Sequence, residues 1–157
     1  MPFKVERTEH FLKDIAIHAI HRELRPVYRL TERETVLANG RDVEWDFTLR
    51  DGKENLVQAL ILRLLTPRGE LLALGHADYG SRVHELIGRE NSTTQRNLLK
   101  LFMLEAIKQE PRVEKVVELK VTPSPGTKTT VDVWLKVKAA AFSELIEIGP
   151  FSIDLAS

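Results

Sequence analysis

Apolar residues recur along this chain at two spacings, and the places where one gives way to the other lay out the expected elements. From Thr8 to about Leu24, Phe11, Leu12, Ile15, Ala16, Ala19 and Ile20 form a broad apolar face at helical spacing. The run stops before Arg25-Pro26, since proline disfavours helical geometry in the residue ahead of it. This predicts a helix within a separate N-terminal arm, residues 1–39. Residues 26–41 are polar and weakly patterned, with a turn signal at Asn39-Gly40. Val43, Trp45, Phe47 and Leu49 then alternate with Glu44, Asp46, Thr48 and Arg50, the pattern of a short half-buried strand.

The remainder, residues 40–157, reads as one α+β domain. Asp51 to Glu54 resembles a capping box, and Leu56, Val57, Leu60, Ile61, Leu64 and Leu65 follow at helical spacing, predicting a helix over about Glu54 to Leu65. Thr66-Pro67-Arg68-Gly69 breaks it, and Glu70 to Leu74 is expected to be short and extended. Gly75 and Gly80 flank an irregular loop holding His76, Asp78 and Tyr79. Ser81 can cap a short helix carrying Val83, Leu86 and Ile87, closed by Gly88. Ser92 to Gln95 is a full capping box, and the residues from Leu98 to Ile107 form so wide an apolar arc that this helix is expected to be the most buried.

After Glu110-Pro111-Arg112 the period changes to two. Val117, Leu119 and Val121 are expected on one face and Glu118 and Lys120 on the other, with a bulge or strand start near Val116. Pro123 to Gly126 is a turn, after which Val131, Val133, Leu135 and Val137 alternate with polar residues, so the two segments predict a hairpin. A last segment with Leu145 and Ile148 is interrupted at Gly149-Pro150 and resumes with Phe151, Ile153 and Leu155. Three core helices followed by an antiparallel meander, with a helical arm in front, make the fold α+β and argue against a wound parallel sheet.

Composition narrows the function classes. In 157 residues, 23 Lys and Arg balance 23 Asp and Glu, so the chain lacks the basic excess of a nucleic-acid binder. With no cysteine, a disulfide framework, a thiolate metal site and a cysteine nucleophile are excluded. The start MPFKVERTEH has no apolar leader-like run, and no stretch approaches the ~18 apolar residues of a membrane span. These features lead us to expect a soluble cytoplasmic protein without membrane partners.

Candidate chemistry is sparse. His18 and His21 share a helical spacing, but further metal ligands are not placed beside them, and a solvated helix face is the simpler reading. His76 and His84 flank the Tyr79 loop without triad or metal spacing, and neither a metal nor a cofactor is expected. A glycosidase needs two carboxylates ~5–5.5 or ~6.5–9.5 Å apart, one with a raised pKa. Glu70, Asp78 and Glu85 are the clustered candidates, yet each sits among polar or basic neighbours. Glu110-Pro111-Arg112 joins the helix expected to be the most buried to the first strand of the hairpin: either an ion pair closes the helix locally, or Arg112 offers its planar fork to an acceptor on another chain. The final strand, Phe151 to Ala156, either completes its own sheet or offers an edge for a partner's strand.

Taken together, Glu54-Asn-Leu-x-Gln58-Ala-Leu, Arg63-Leu-Leu-Thr66-Pro67-x-Gly69-Glu70, Asp78-Tyr79-Gly80-Ser81 and Glu110-Pro111-Arg112 ahead of a meander resemble, over about residues 40–156, the baseplate wedge family of contractile tails. That family includes the T-even phage wedge protein once described as a tail lysozyme, phage baseplate assembly protein W, and counterparts in type VI secretion and extracellular contractile injection systems. The resemblance implies a non-enzymatic structural subunit, present in several copies around the tail axis, that joins the wedge to the hub and initiates the sheath. Its partners would be other wedge proteins, hub or tube proteins and the sheath protein, and its place the baseplate of the assembled particle after cytoplasmic assembly. By the same resemblance Glu110, Pro111 and Arg112 dock on neighbouring wedge proteins, and Tyr79 and Gly80 make loop contacts. Sheath strand addition falls on roughly Thr129 to Lys138 and Ser143 to Leu155, carried by Val131, Val133, Leu135, Phe151, Ile153 and Leu155. The alternative is a peptidoglycan-degrading lysozyme-like hydrolase using two of Glu70, Asp78 and Glu85.

Overall fold

A computed structural model of the chain describes residues 14–22, 25–30, 32–36, 40, 43–140 and 143–156. The chain divides into two compact units, Met1–Gln58 and Ala59–Ser157.

In the N-terminal unit, three runs of strand pair in a closed cycle. The first run is β1 (Asp14–Ile15) and β2 (Ile17–Arg22), the second β3 (Arg25–Leu30) and β4 (Glu32–Val36), the third β5 (Val43–Phe47) and β6 (Leu49–Arg50). β1 pairs with β6, β2 with β3 and β4 with β5, all antiparallel, so each run exchanges one partner for another midway. Ala16 sits at one exchange point, buried, and donates its N–H to Thr48 O at 2.7 Å.

Two expectations fail here. The helix predicted from Thr8 to Leu24 is strand on both sides of the exchange point at Ala16, residues 8–13 and 23–24 lying outside the described residues. The weakly patterned stretch that follows supplies its partner β3. Ile15, Ile17 and Ile20 are β-branched, and a partner strand distant from the helical pattern settles the matter, as tertiary pairing overrides local periodicity. The alternation of Val43 to Leu49 does form strand, but not a half-buried one: Trp45, Phe47 and Leu49 are 65%, 39% and 55% exposed.

The first α-helix, α1 (Gly52–Leu65), begins two residues before its predicted start. The buried amide of Gln58 bridges the strand exchange: Oε1 accepts from Ile17 N and Nε2 donates to Ile15 O, both at 2.9 Å. One side chain thus satisfies a donor and an acceptor that the partner switch at Ala16 leaves without a ladder.

In the C-terminal unit, α2 (Thr93–Lys108) packs against β7 (Val113–Pro123), the first strand of an antiparallel meander with β8 (Thr130–Ala139) and β9 (Leu145–Asp154). Ser92 caps α2 by accepting from Gln95 N at 3.2 Å, as expected. The capping box is only half made, because Gln95 Oε1 is buried without a partner. Leu99, Phe102, Met103, Ala106 and Ile107 are the buried face of α2. Where a third helix and an extended piece were expected, the 66–88 segment holds two short 3-10 turns, Leu72–Leu74 and Val83–Leu86. Glu70 to Leu74 has no strand to pair with, and the left-handed Gly75 (φ 83°) closes it as a turn.

The meander follows the sequence closely. β8 is its centre, and Val131, Val133, Leu135, Val137 and Ala139 are all buried. Register shifts on either side of Val116 interrupt β7 near the predicted place; they also turn Val117 outward, against expectation, and leave Val116 opposite Val137. In β9 a further shift falls at Gly149-Pro150, a cis peptide, where a Cβ on Gly149 (φ +109°) would stand 2.5 Å from Val133 O. Truncating Leu135, at the centre of the core, is expected to cost about 2–5 kcal/mol, whereas Leu145→Ala on the exposed start of β9 should cost under about 1 kcal/mol. Urea denaturation of the two variants checks the contrast.

Candidate functional site

The turn between α2 and β7 is built on Glu110. Its N–H donates to Ile107 O at 3.0 Å, its carbonyl accepts from Val113 N at 3.0 Å, and Arg112 O accepts from Ala140 N at 2.9 Å. Proline at 111 cannot prolong the helix, so the chain reverses there and leaves Pro111 exposed. The Glu110 side chain turns inward and is only 6% exposed. One carboxylate oxygen accepts from Arg112 Nε at 2.6 Å, and the other faces Arg63 of α1 at 3.6 Å.

A buried carboxylate is costly unless it is paired, and this one has two guanidinium partners. Burial pushes the Glu110 carboxyl up, but the Arg112 hydrogen bond and the charges of Arg112 and Arg63 outweigh that and hold it below the usual carboxylate range. Arg63 also lies over the Tyr79 ring, 4.5 Å from its centroid, so the side chain stacks on one side while its end meets Glu110. The structure therefore gathers Arg63, Tyr79, Glu110 and Arg112 from three places in the sequence into one cluster. Of the two readings of Glu110-Pro111-Arg112, the intrachain ion pair is formed; Arg112 is at the same time 17% exposed.

Gly80 holds this cluster's loop against α1. Its φ is +102°, and a Cβ would lie 2.5 Å from Thr66 O and 2.9 Å from Pro67 C, so only glycine fits. Beside it Ser81 pairs with Pro67 in a parallel bridge: Ser81 N donates to Thr66 O and Arg68 N to Ser81 O, each at 2.8 Å. Ser81 Oγ donates to Leu64 O at 2.6 Å, satisfying a carbonyl at the end of α1. Gly80 is accordingly buried, and Tyr79 is half-buried.

The three carboxylates considered for hydrolysis are on the surface. Glu85 receives both Arg82 Nε and a terminal nitrogen at 2.8 Å, and that hydrogen-bonded fork holds its carboxyl below the ordinary range. A glycosidase acid needs the opposite shift. Asp78 pairs with Arg68 at 3.3 Å, and Glu70 is exposed. His84 Nδ1 is 3.1 Å from Ser81 O, and His76 is exposed. His18 and His21 lie in β2, opposite Arg29 and Pro26, so the helix face proposed for them does not exist. Among the described residues no three metal-ligating side chains converge.

Of the residues expected to add a sheath strand, Val131, Val133 and Leu135 belong to β8, whose two edges are both paired within this chain. Phe151 and Ile153 belong to β9, whose outer edge pairs with no described strand. Leu155 lies just beyond, buried, its N–H donating to Thr129 O at 2.9 Å and its carbonyl accepting from Gly88 N at 2.8 Å. Arg63 is the residue of this cluster that sequence reasoning left without a role. The signal was available, since Arg63 is the one charge in the otherwise apolar and amide-bearing run from Asn55 to Leu65.

Glu110→Gln leaves two guanidinium groups around a neutral amide and is expected to cost about 1–3 kcal/mol at neutral pH. Because the folded-state pKa is depressed, that stabilisation is present above the unfolded value of about 4.3 and is lost as pH falls through the lower folded value. The gap in urea midpoint between wild type and Glu110→Gln should close on acidification through that window.

Among solved structures, a Geobacter sulfurreducens protein provisionally described as a tail lysozyme superposes with a TM-score of 0.56 at 19% identity, over 66% of this chain and 91% of that one. At that identity the likeness concerns the fold alone. Curated protein sequences give no match. The family model of the contractile injection system sheath initiator matches residues 29–138. That stretch carries α1, the Gly80 loop, α2, Glu110-Pro111-Arg112 and most of the meander, and the chain belongs to the sheath-initiator family of contractile injection systems, structural components of the baseplate.

Proposed function

We propose that this protein is a non-enzymatic baseplate subunit, present in several copies around the tail axis, that joins wedge to hub through Arg112 and starts the sheath from the outer edge of β9. The observation that carries the docking half is the buried Glu110 carboxylate between Arg63 and Arg112. It fixes Arg112 beside the exposed Pro111 before any partner arrives, so little side-chain freedom remains to be lost on docking. Tyr79 contributes by seating Arg63, and Gly80 by letting the loop reach α1.

The sheath half rests on the meander's edges. β8 is paired on both sides, so Val131, Val133 and Leu135 support the template from inside the sheet, and the added strand belongs beside Phe151 and Ile153. The other outer strand, β7, carries Lys115, Lys120 and two register shifts, features that keep edges from pairing. β9 carries neither Lys nor Arg; its one register shift and Pro150, itself an edge guard, divide it, and the added strand falls beyond them at Phe151 and Ile153. The hydrolase reading has no comparable support: Glu70, Asp78 and Glu85 are all exposed, and the Arg82 fork lowers the Glu85 carboxyl where a general acid needs it raised.

Arg112→Lys keeps the charge and loses the planar fork; it should leave the isolated protein folded and lower its incorporation into baseplates about tenfold, the effect of one lost charge-assisted hydrogen bond. Incorporation at the wild-type level sinks the docking role. For the edge, Leu145→Lys with Ser152→Lys places lysines at exposed positions of β9 and spares the anchor at Leu155. Electron microscopy should show baseplates that contain the subunit but carry no sheath, and normally sheathed tails would remove β9 from the mechanism.

A further inference from the structure

The apolar face of the β4–β5 ribbon in the N-terminal unit is exposed, although its pattern is that of a face made for burial. Trp45 and Phe47, at alternate positions of β5, are 65% and 39% exposed. The strand run continues to Leu49, which stands opposite Ile15, and these two are also exposed. A two-stranded ribbon is marginal in water without something packed on it, and a patch with two large aromatic residues is the usual centre of a protein contact.

What lies across from the aromatic residues decides the kind of partner. In the antiparallel register Glu34 stands opposite Trp45 and Glu32 opposite Phe47, and directly opposed residues share a face. Both glutamates are exposed, and Arg33 and Asp46 oppose each other at the alternate position. The face is therefore aromatic along one strand and acidic along the other. A second copy of the same face is a poor occupant, because a two-fold contact sets the glutamates of each copy against either the glutamates or the aromatic residues of the other, and neither arrangement meets them with a cation.

We propose that this face docks a segment of another baseplate subunit in which apolar side chains alternate with lysine or arginine. The apolar residues cover Trp45 and Phe47, and the cations meet Glu32 and Glu34. This contact is separate from docking through Arg112, and the two can fail independently.

Hydroxyl-radical footprinting of the full chain, free and in assembled baseplates, reads the contact directly, with mass spectrometry following peptides of this chain. Trp45 oxidation is expected to fall in the baseplate to the level of a buried side chain. Unchanged oxidation there overturns the proposal. So does protection already present in the free protein together with dimer formation in sedimentation, which would assign the face to a second copy. Glu32→Lys with Glu34→Lys should leave the secondary structure by circular dichroism intact and lower incorporation about tenfold, as for loss of an interface hot spot. Incorporation of that variant at the wild-type level overturns the basic character of the partner, and Arg112→Lys particles that still protect Trp45 would show the two contacts acting separately.

Discussion

The structure around the candidate docking turn depends on one buried negative charge. Glu110 is inside because the turn after α2 reverses there, and it stays ionised because Arg112 and Arg63 reach it from two directions. Removing either arginine leaves the carboxylate under-compensated, and removing the carboxylate leaves two cations side by side. Arg63 stacks on Tyr79, Tyr79 precedes Gly80, and Gly80 lies against Thr66 and Pro67. The charge thus constrains the helix end, the loop and the turn together. For a structural subunit this rigidity is the functional property: a motif whose side chains are already oriented loses little freedom on meeting its neighbour.

The meander shows the same economy with backbone groups. β8 is consumed on both sides, β7 is guarded by lysines and register shifts, and β9 closes the sheet with an outer edge that pairs with no described strand. Leu155 then fastens the chain to Gly88 and Thr129, so the edge is held in place beyond its last paired residue.

Much of this was legible in the sequence where one face of an element is buried by its own neighbours. The alternation in β8, the cap at Ser92 and the run from Leu56 to Leu65 name their elements because local preference and tertiary burial agree there. The sequence misleads where pairing is not local. Ile15, Ala16, Ala19 and Ile20 fit a helix by spacing, but Leu30, Tyr28, Val27 and Leu49 hold their segment as strand, and periodicity carries no trace of those partners. Val117 fails for a narrower reason, a register shift that alternation signals only as an irregularity. In the candidate site, Glu110 to Arg112 and the Tyr79-Gly80 pair were visible as motifs, whereas the convergence of Arg63 on Glu110 requires the helix and the turn to be placed in space.

The cycle of strand exchanges in the N-terminal unit bears on how that unit can come apart. Each of its three runs is shared between two ladders, so withdrawing any one run breaks two ladders and leaves the remaining pair as a lone ribbon. A lone ribbon is marginal in water. The described strands of this unit are accordingly expected to be lost together rather than one run at a time, as the legs of a tripod bear load jointly or not at all.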